Sequence, residues 1–136
     1  MSSKARILVI DDDSDLVEAL KIVLEMESYE VISAPDGKNG LEKVEQEKPD
    51  LVILDLLLPK EDGVVLCREL KGNPRYSDIP ILILTALAEE VNTKLFSKHE
   101  MSSLPADDYA GKPIQPQDLL VRVNKLLAQS NEGDRK

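Results

Sequence analysis

Short, unbroken aliphatic runs recur along this sequence, each separated from the next by a stretch of helical spacing. Ile7-Leu8-Val9-Ile10, Leu51-Val52-Ile53-Leu54 and Ile81-Leu82-Ile83-Leu84 contain no polar residue. A strand with one wet face alternates apolar and polar side chains, so a run without alternation must be covered on both faces. Between the runs the apolar spacing becomes helical. Leu16, Leu20, Val23 and Leu24 share one face, with Asp13 or Ser14 as the N-cap. Tyr29-Glu30-Val31-Ile32-Ser33 reads as a second strand closed by Asp36-Gly37, and 38–47 as a short helix with Leu41 and Val44 inward. Gly63 opens a helix through Val64, Cys67 and Leu70 that ends near Gly72 and Pro74. The fourth strand is expected from Ile79 to Leu84, and a helical region follows Thr85 and stops before Leu104-Pro105. Asp107-Asp108-Tyr109-Ala110 is a short fifth strand, and Pro116 starts a last helix with Leu119, Leu120, Val123, Leu126 and Leu127 inward. The result is an α/β fold, (βα)5, with a five-stranded parallel sheet. Right-handed crossovers place helices on both faces, making it doubly wound.

Length and charge narrow the class. At 136 residues the chain fits one domain. Its single Cys excludes an internal disulfide framework and a cysteine zinc site. No run reaches the roughly 18 apolar residues of a membrane span. Met1-Ser2-Ser3-Lys4-Ala5-Arg6 leads straight into the first strand, so the expectation is a soluble, cytoplasmic protein. The formal charge of −9, with Lys and Arg scattered among acids, argues against direct nucleic-acid binding, which needs a basic patch. Residues 1–128 are expected to form the domain and 129–136 a polar tail, with no effector domain.

In doubly wound sheets, ligands bind beyond the carboxyl ends of the strands. The polar residues just past those ends are Asp11 and Asp12, Asp55, Thr85 and Lys112. If the first and third strands are neighbours, three carboxylates converge beside a hydroxyl and an ammonium. Such a cluster repels itself unless a hard cation or a raised pKa relieves it. Taken singly, each residue is an ordinary cap, turn or strand-end group. Their shared position at one sheet edge points instead to phosphoryl chemistry on a carboxylate.

At this point the residues resemble a known family, the receiver domains of two-component response regulators. Ile7-Leu8-Val9-Ile10-Asp11-Asp12-Asp13 is similar to the family's first strand and acidic pair. The segment 50–63, with Asp55, Pro59 and Asp62-Gly63, is similar to its phosphoacceptor segment. Ile81-Leu82-Ile83-Leu84-Thr85-Ala86 and Asp107-Asp108-Tyr109-Ala110-Gly111-Lys112-Pro113 complete the match over most of the chain.

The resemblance implies a flavodoxin-like sheet of order 2-1-3-4-5. It implies that Asp55 accepts a phosphoryl group from a sensor histidine kinase or a histidine phosphotransfer protein. It implies Mg²⁺ (or Mn²⁺) held by Asp12, Asp55 and the Leu57 backbone carbonyl, with Asp11 acting through water. Thr85, Ala86, Tyr109 and Lys112 would contact or respond to the phosphoryl group, and the Lys112-Pro113 peptide would be cis. The output would be protein–protein contact with an unnamed target, a phosphorylation-dependent homodimer included. The protein would be no enzyme beyond its own phosphoryl transfer and dephosphorylation. The segment from Thr85 to Lys112 is longer than the family needs, so its helix or loop is reshaped, and His99 within it reads as an exposed helical residue.

Three other readings compete. A phosphorylation-independent adaptor could keep the fold alone, but the acidic, hydroxyl and Lys set is complete. An aspartate-nucleophile phosphatase of the haloacid-dehalogenase type would use Asp11-x-Asp13, yet needs a cap and more chain. A flavin binder would need a hydroxyl- and glycine-rich loop after the first strand and aromatics over the ring; this chain offers aspartates, no Trp and one Phe.

Overall fold

The computed structural model describes residues 5–58, 63–86 and 104–134, with side chains described up to 130. Five strands, β1 (Arg6–Ile10), β2 (Glu30–Ala34), β3 (Leu51–Leu54), β4 (Ile81–Thr85) and β5 (Asp108–Gly111), form one sheet of order β2-β1-β3-β4-β5. Every neighbouring pair is parallel. The described helices are α1 (Ser14–Met26), α2 (Gly37–Glu47), α3 (Gly63–Gly72) and a C-terminal α4 (Pro116–Asp134). This is the flavodoxin-like, doubly wound fold expected. The helical region foreseen after Thr85, and His99 within it, lie outside the described residues, as does 59–62.

The unbroken aliphatic strands feed two cores because successive side chains point to opposite faces. Leu8, Ile10, Val52, Leu54, Ile81 and Ile83 meet Val44 of α2 and Leu66, Cys67 and Leu70 of α3. Ile7, Val9, Leu51, Ile53, Leu82 and Leu84 meet Val17, Leu20 and Leu24 of α1 and Leu119, Val123 and Leu126 of α4. On α1 it is Val17 rather than Leu16 that is fully buried. Leu120 and Leu127 are only half-buried on α4.

Several boundaries differ from the sequence-based expectation. Of the two caps expected for α1, Asp13 is the one used, its carboxylate accepting from the Asp15 and Leu16 amides. Asp36 caps α2 through the Asn39 amide. β4 begins at Ile81 because Ile79 is engaged in a turn with Tyr76, and Pro80 has no amide hydrogen to give a ladder. β5 begins at Asp108, and the Asp107 side chain instead accepts from the Ile81 amide at 2.8 Å. α4 carries on through polar residues to Asp134, so the tail expected from composition is helical as far as that residue.

Candidate functional site

β1 and β3 lie side by side with Ile10 opposite Leu54, so the next residues of both strands, Asp11 and Asp55, leave the sheet at the same height. The Asp55 amide donates to the Ile10 carbonyl at 3.0 Å and the Asp11 amide to the Ala34 carbonyl at 3.1 Å. Both carboxylates are buried, while Asp12 faces solvent. One carboxylate oxygen from each of Asp11, Asp12 and Asp55 falls within 4.8 Å of the others. The aspartate third in that run, Asp13, has its carboxylate engaged in capping α1.

Lys112 reaches this edge from the far side of the sheet. Its amide donates to the Thr85 carbonyl at 3.1 Å, extending the β4–β5 ladder by one residue. Its ammonium lies 2.9 Å from Asp11 Oδ2 and 3.0 Å from Asp55 Oδ2. The other oxygens are held by backbone: Asp11 Oδ1 accepts from the Asp13 amide, and Asp55 Oδ1 from the Leu57 amide, both at 3.0 Å. Burial pushes the Asp11 pKa up, outweighing the hydrogen bond from Lys112 and aided by the nearby Asp55 charge. Burial also works against the charge on Lys112, yet the hydrogen bonds to Asp11 and Asp55 outweigh it and hold its pKa above the ordinary value.

Three carboxylates against one ammonium leave an acidic excess in a partly dry corner. That donor set, all oxygen and open to water at Asp12, fits a hard divalent cation. Thr85 is buried at the end of β4 and Ala86 follows it, half-buried. The Lys112-Pro113 peptide is cis. Tyr109 stands apart from the acidic group. Its hydroxyl donates to the Leu104 carbonyl at 2.6 Å, and its ring packs in the α3-side core.

The sequence marks Gly63 as the opener of α3 and as the end of the phosphoacceptor-like segment, with no contact to Asp55 expected. In the structure a Cβ at Gly63 would stand 2.2 Å from the Asp55 carbonyl oxygen and 2.6 Å from Leu56 Cα. The Gly63 amide also donates to the Leu56 carbonyl at 3.1 Å. A Gly eight residues beyond a strand-end Asp was the available signal; the close approach depends on how the chain folds back.

Residues 7–124 match the model of the response regulator receiver domain. The chain belongs to that family. As a receiver domain it is 43% identical over 125 residues to the alkaline phosphatase synthesis transcriptional regulatory protein PhoP of Bacillus subtilis, a match spanning 92% of this chain and 49% of that protein. It is 41% identical to the DNA-binding dual master transcriptional regulator RpaA of Synechocystis, over 93% of this chain and 50% of the relative. The chain thus spans about half the length of these curated relatives. A solved CheY-like receiver domain protein from Methanospirillum hungatei superposes with a TM-score of 0.84 at 28% identity, covering 96% of this chain and 99% of the other. Receiver domains of this kind are signalling domains of two-component systems. Among the described residues no helix is long and apolar enough to cross a membrane.

Proposed function

We propose that this receiver domain takes a phosphoryl group on Asp55 from a phosphohistidine of a sensor kinase or phosphotransfer protein, and that the charge change alters its protein contacts. The observation that carries this is the Lys112 ammonium at 3.0 Å from a buried Asp55 carboxylate, within the three-aspartate cluster. In the transfer, an Asp55 carboxylate oxygen forms the new P–O bond as the P–N bond to the donor imidazole breaks. The imidazole leaves with the bonding electron pair and takes up a proton, and an acyl phosphate remains. Asp12, Asp55 and the Leu57 carbonyl would hold Mg²⁺ or Mn²⁺ directly, with Asp11 bound through water. When bound, such an ion would supply positive charge against the phosphoryl oxygens.

The chain's own groups do the rest. Lys112 offers a donor to a phosphoryl oxygen once its hold on Asp55 is shared. Thr85, one strand away, offers a hydroxyl, and the small Ala86 leaves the approach open. Tyr109 and Thr85 lie on adjacent strands, so repositioning of one strand end is felt by the other, as a shift between two populated states. The phosphatase reading loses support because Asp13 is engaged as a helix cap, not aimed at the cluster. A cytoplasmic location, contact with a kinase, and output through protein contacts follow from the same proposal.

Intact-protein mass after incubation with a small acyl-phosphate donor tests the proposal. One Mg²⁺-dependent phosphoryl adduct on wild type, absent in Asp55→Asn, is the expected result. An adduct that survives Asp55→Asn overturns it.

A further inference from the structure

The residue leading into β5 meets a largely buried ammonium outside the acidic cluster. β5 is a four-residue edge strand, Asp108-Tyr109-Ala110-Gly111, half-buried over its first three residues. It has no apolar–polar alternation to specify its register, and a slip of one residue would turn every side chain to the other face. Arg122 of α4 holds the Asp108 carboxylate and the Tyr109 carbonyl, and two hydrogen bonds at the strand's threshold add a second hold. The Asp107 amide donates to the Ile81 carbonyl at 2.9 Å, and the Ile81 amide donates back to Asp107 Oδ2 at 2.8 Å.

That same Oδ2 lies 2.7 Å from the ammonium of Lys71 in the last turn of α3. Lys71 also donates to the Ser77 carbonyl at 3.0 Å and the Ile79 carbonyl at 2.8 Å. An ammonium has three donors, and here all three are taken. The Lys71 side chain is only 11% exposed. It therefore joins α3, the α3–β4 connection and the residue that leads into β5. At the opposite end of the strand the Lys112 amide meets the Thr85 carbonyl, and the Lys112 ammonium meets Asp11 and Asp55. Four residues of one strand separate Asp107 from Lys112.

We propose that Lys71, acting through Asp107, is a positioning residue for Lys112: it sets the β5 register that delivers the Lys112 ammonium to Asp55. The kinetic half of this inference rests on the phosphoacceptor reading of Asp55. The Asp107 side chain is 38% exposed, so the ion pair alone would do little, and the hold rests on the three contacts of the Lys71 ammonium; a merely stabilising contact would loosen the whole sheet together. A register clasp loosens β5 first.

Amide hydrogen exchange and phosphorylation kinetics on Lys71→Met separate these cases. The Met keeps the apolar stem and removes the charge. Protection of the Asp107 and Lys112 amides should fall about tenfold, with the Asp11 and Asp55 amides unchanged, and phosphorylation by a small acyl phosphate should slow by about tenfold, the scale of a sub-ångström misplacement. Asp107→Asn, which keeps an oxygen for the Ile81 amide, serves if Lys71→Met does not fold, and it should show the same pattern more weakly. Equal loss of protection at all four amides, or none, overturns the clasp. Loosened β5 amides with an unchanged phosphorylation rate overturn the positioning role. If the wild-type chain accepts no phosphoryl group, the reading of Asp55 fails instead, and the exchange pattern still decides the clasp.

Discussion

Lys112 Nζ stands 2.9 Å from Asp11 and 3.0 Å from Asp55, so one cation from the outermost strand serves buried carboxylates on two inner ones. Removing it leaves both carboxylates without that partner. Lys112→Met should destabilise the fold by about 2–3 kcal/mol, somewhat less than a deeply buried pair because water reaches part of the lysine. The folded pKa of Lys112 lies above its ordinary 10.5, so its contribution is complete at neutral pH and is lost as pH rises through the folded value. Urea unfolding at pH 7 measures the loss, and millimolar Mg²⁺ should shrink it.

Wild type should gain stability from Mg²⁺ by linkage, roughly 2.7 kcal/mol at a hundredfold excess over the dissociation constant. Asp12→Asn and Asp55→Asn should blunt that gain. Asp13→Ala should cost about 1 kcal/mol as a lost cap and leave the Mg²⁺ response intact. Thermal melts with and without Mg²⁺ decide. Asp13→Ala and Asp12→Asn behaving alike would refute the assignment of ligands.

Gly63→Ala should push on the Asp55 carbonyl and the Leu56 backbone, which cannot swing aside as a side chain can. The expected cost is about 1–3 kcal/mol, together with slower phosphorylation. Gly72 has nothing within 4 Å of a built Cβ. Gly72→Ala in the last turn of α3 should therefore be neutral or stabilising by up to about 1 kcal/mol, with unchanged phosphorylation. Equal effects of the two substitutions would show that Gly63 has no special relation to Asp55.

Cys67 is fully buried, and burial pushes its thiol pKa up to about 11. At pH 8 the thiolate fraction is lowered about 100-fold by such a shift. Thiol-reactive dyes should label the native protein far more slowly than a free thiol, and denaturant should restore full reactivity. The raised value also means that stability is retained below the ordinary value of 9.0 and falls as pH climbs towards about 11.

Lys48 ends α2 in the left-handed region, with φ 49°. A side chain there costs about 1–2 kcal/mol, which Gly avoids at the expense of a looser unfolded chain. Lys48→Gly should raise stability by roughly 0.5–1 kcal/mol in a melt, while Lys48→Val should lower it.

The centre of the sheet is readable because β1 and β3 are coded twice, by aliphatic runs and by the acids that follow them. Ile10 and Leu54 are interchangeable hydrophobes, but Asp11 and Asp55 mark where each strand stops. The ends that were misplaced lack such a code. Ile79 is apolar yet sits in a turn, because Pro80 withholds an amide that only pairing would reveal as missing. Asp107 reads as strand, but its side chain takes the place of a backbone acceptor. The acidic cluster is legible once β1 and β3 are neighbours, an order that the family resemblance implies. The Lys71–Asp107 pair was not, since its residues lie far apart in sequence on two elements whose contact follows from the finished fold. The spacing of Gly63 from Asp55 is visible in the sequence, but its 2.2 Å approach to the Asp55 carbonyl oxygen depends on how the chain folds back.

Because a single ammonium is divided between Asp11 and Asp55, any reaction that alters one of them reapportions the force on the other. β5, which bears that ammonium at its tip and is tethered at its base, then works as a needle on a pivot. On the function proposed above, it would register, at the rim of the sheet, the charge carried by a residue two strands away.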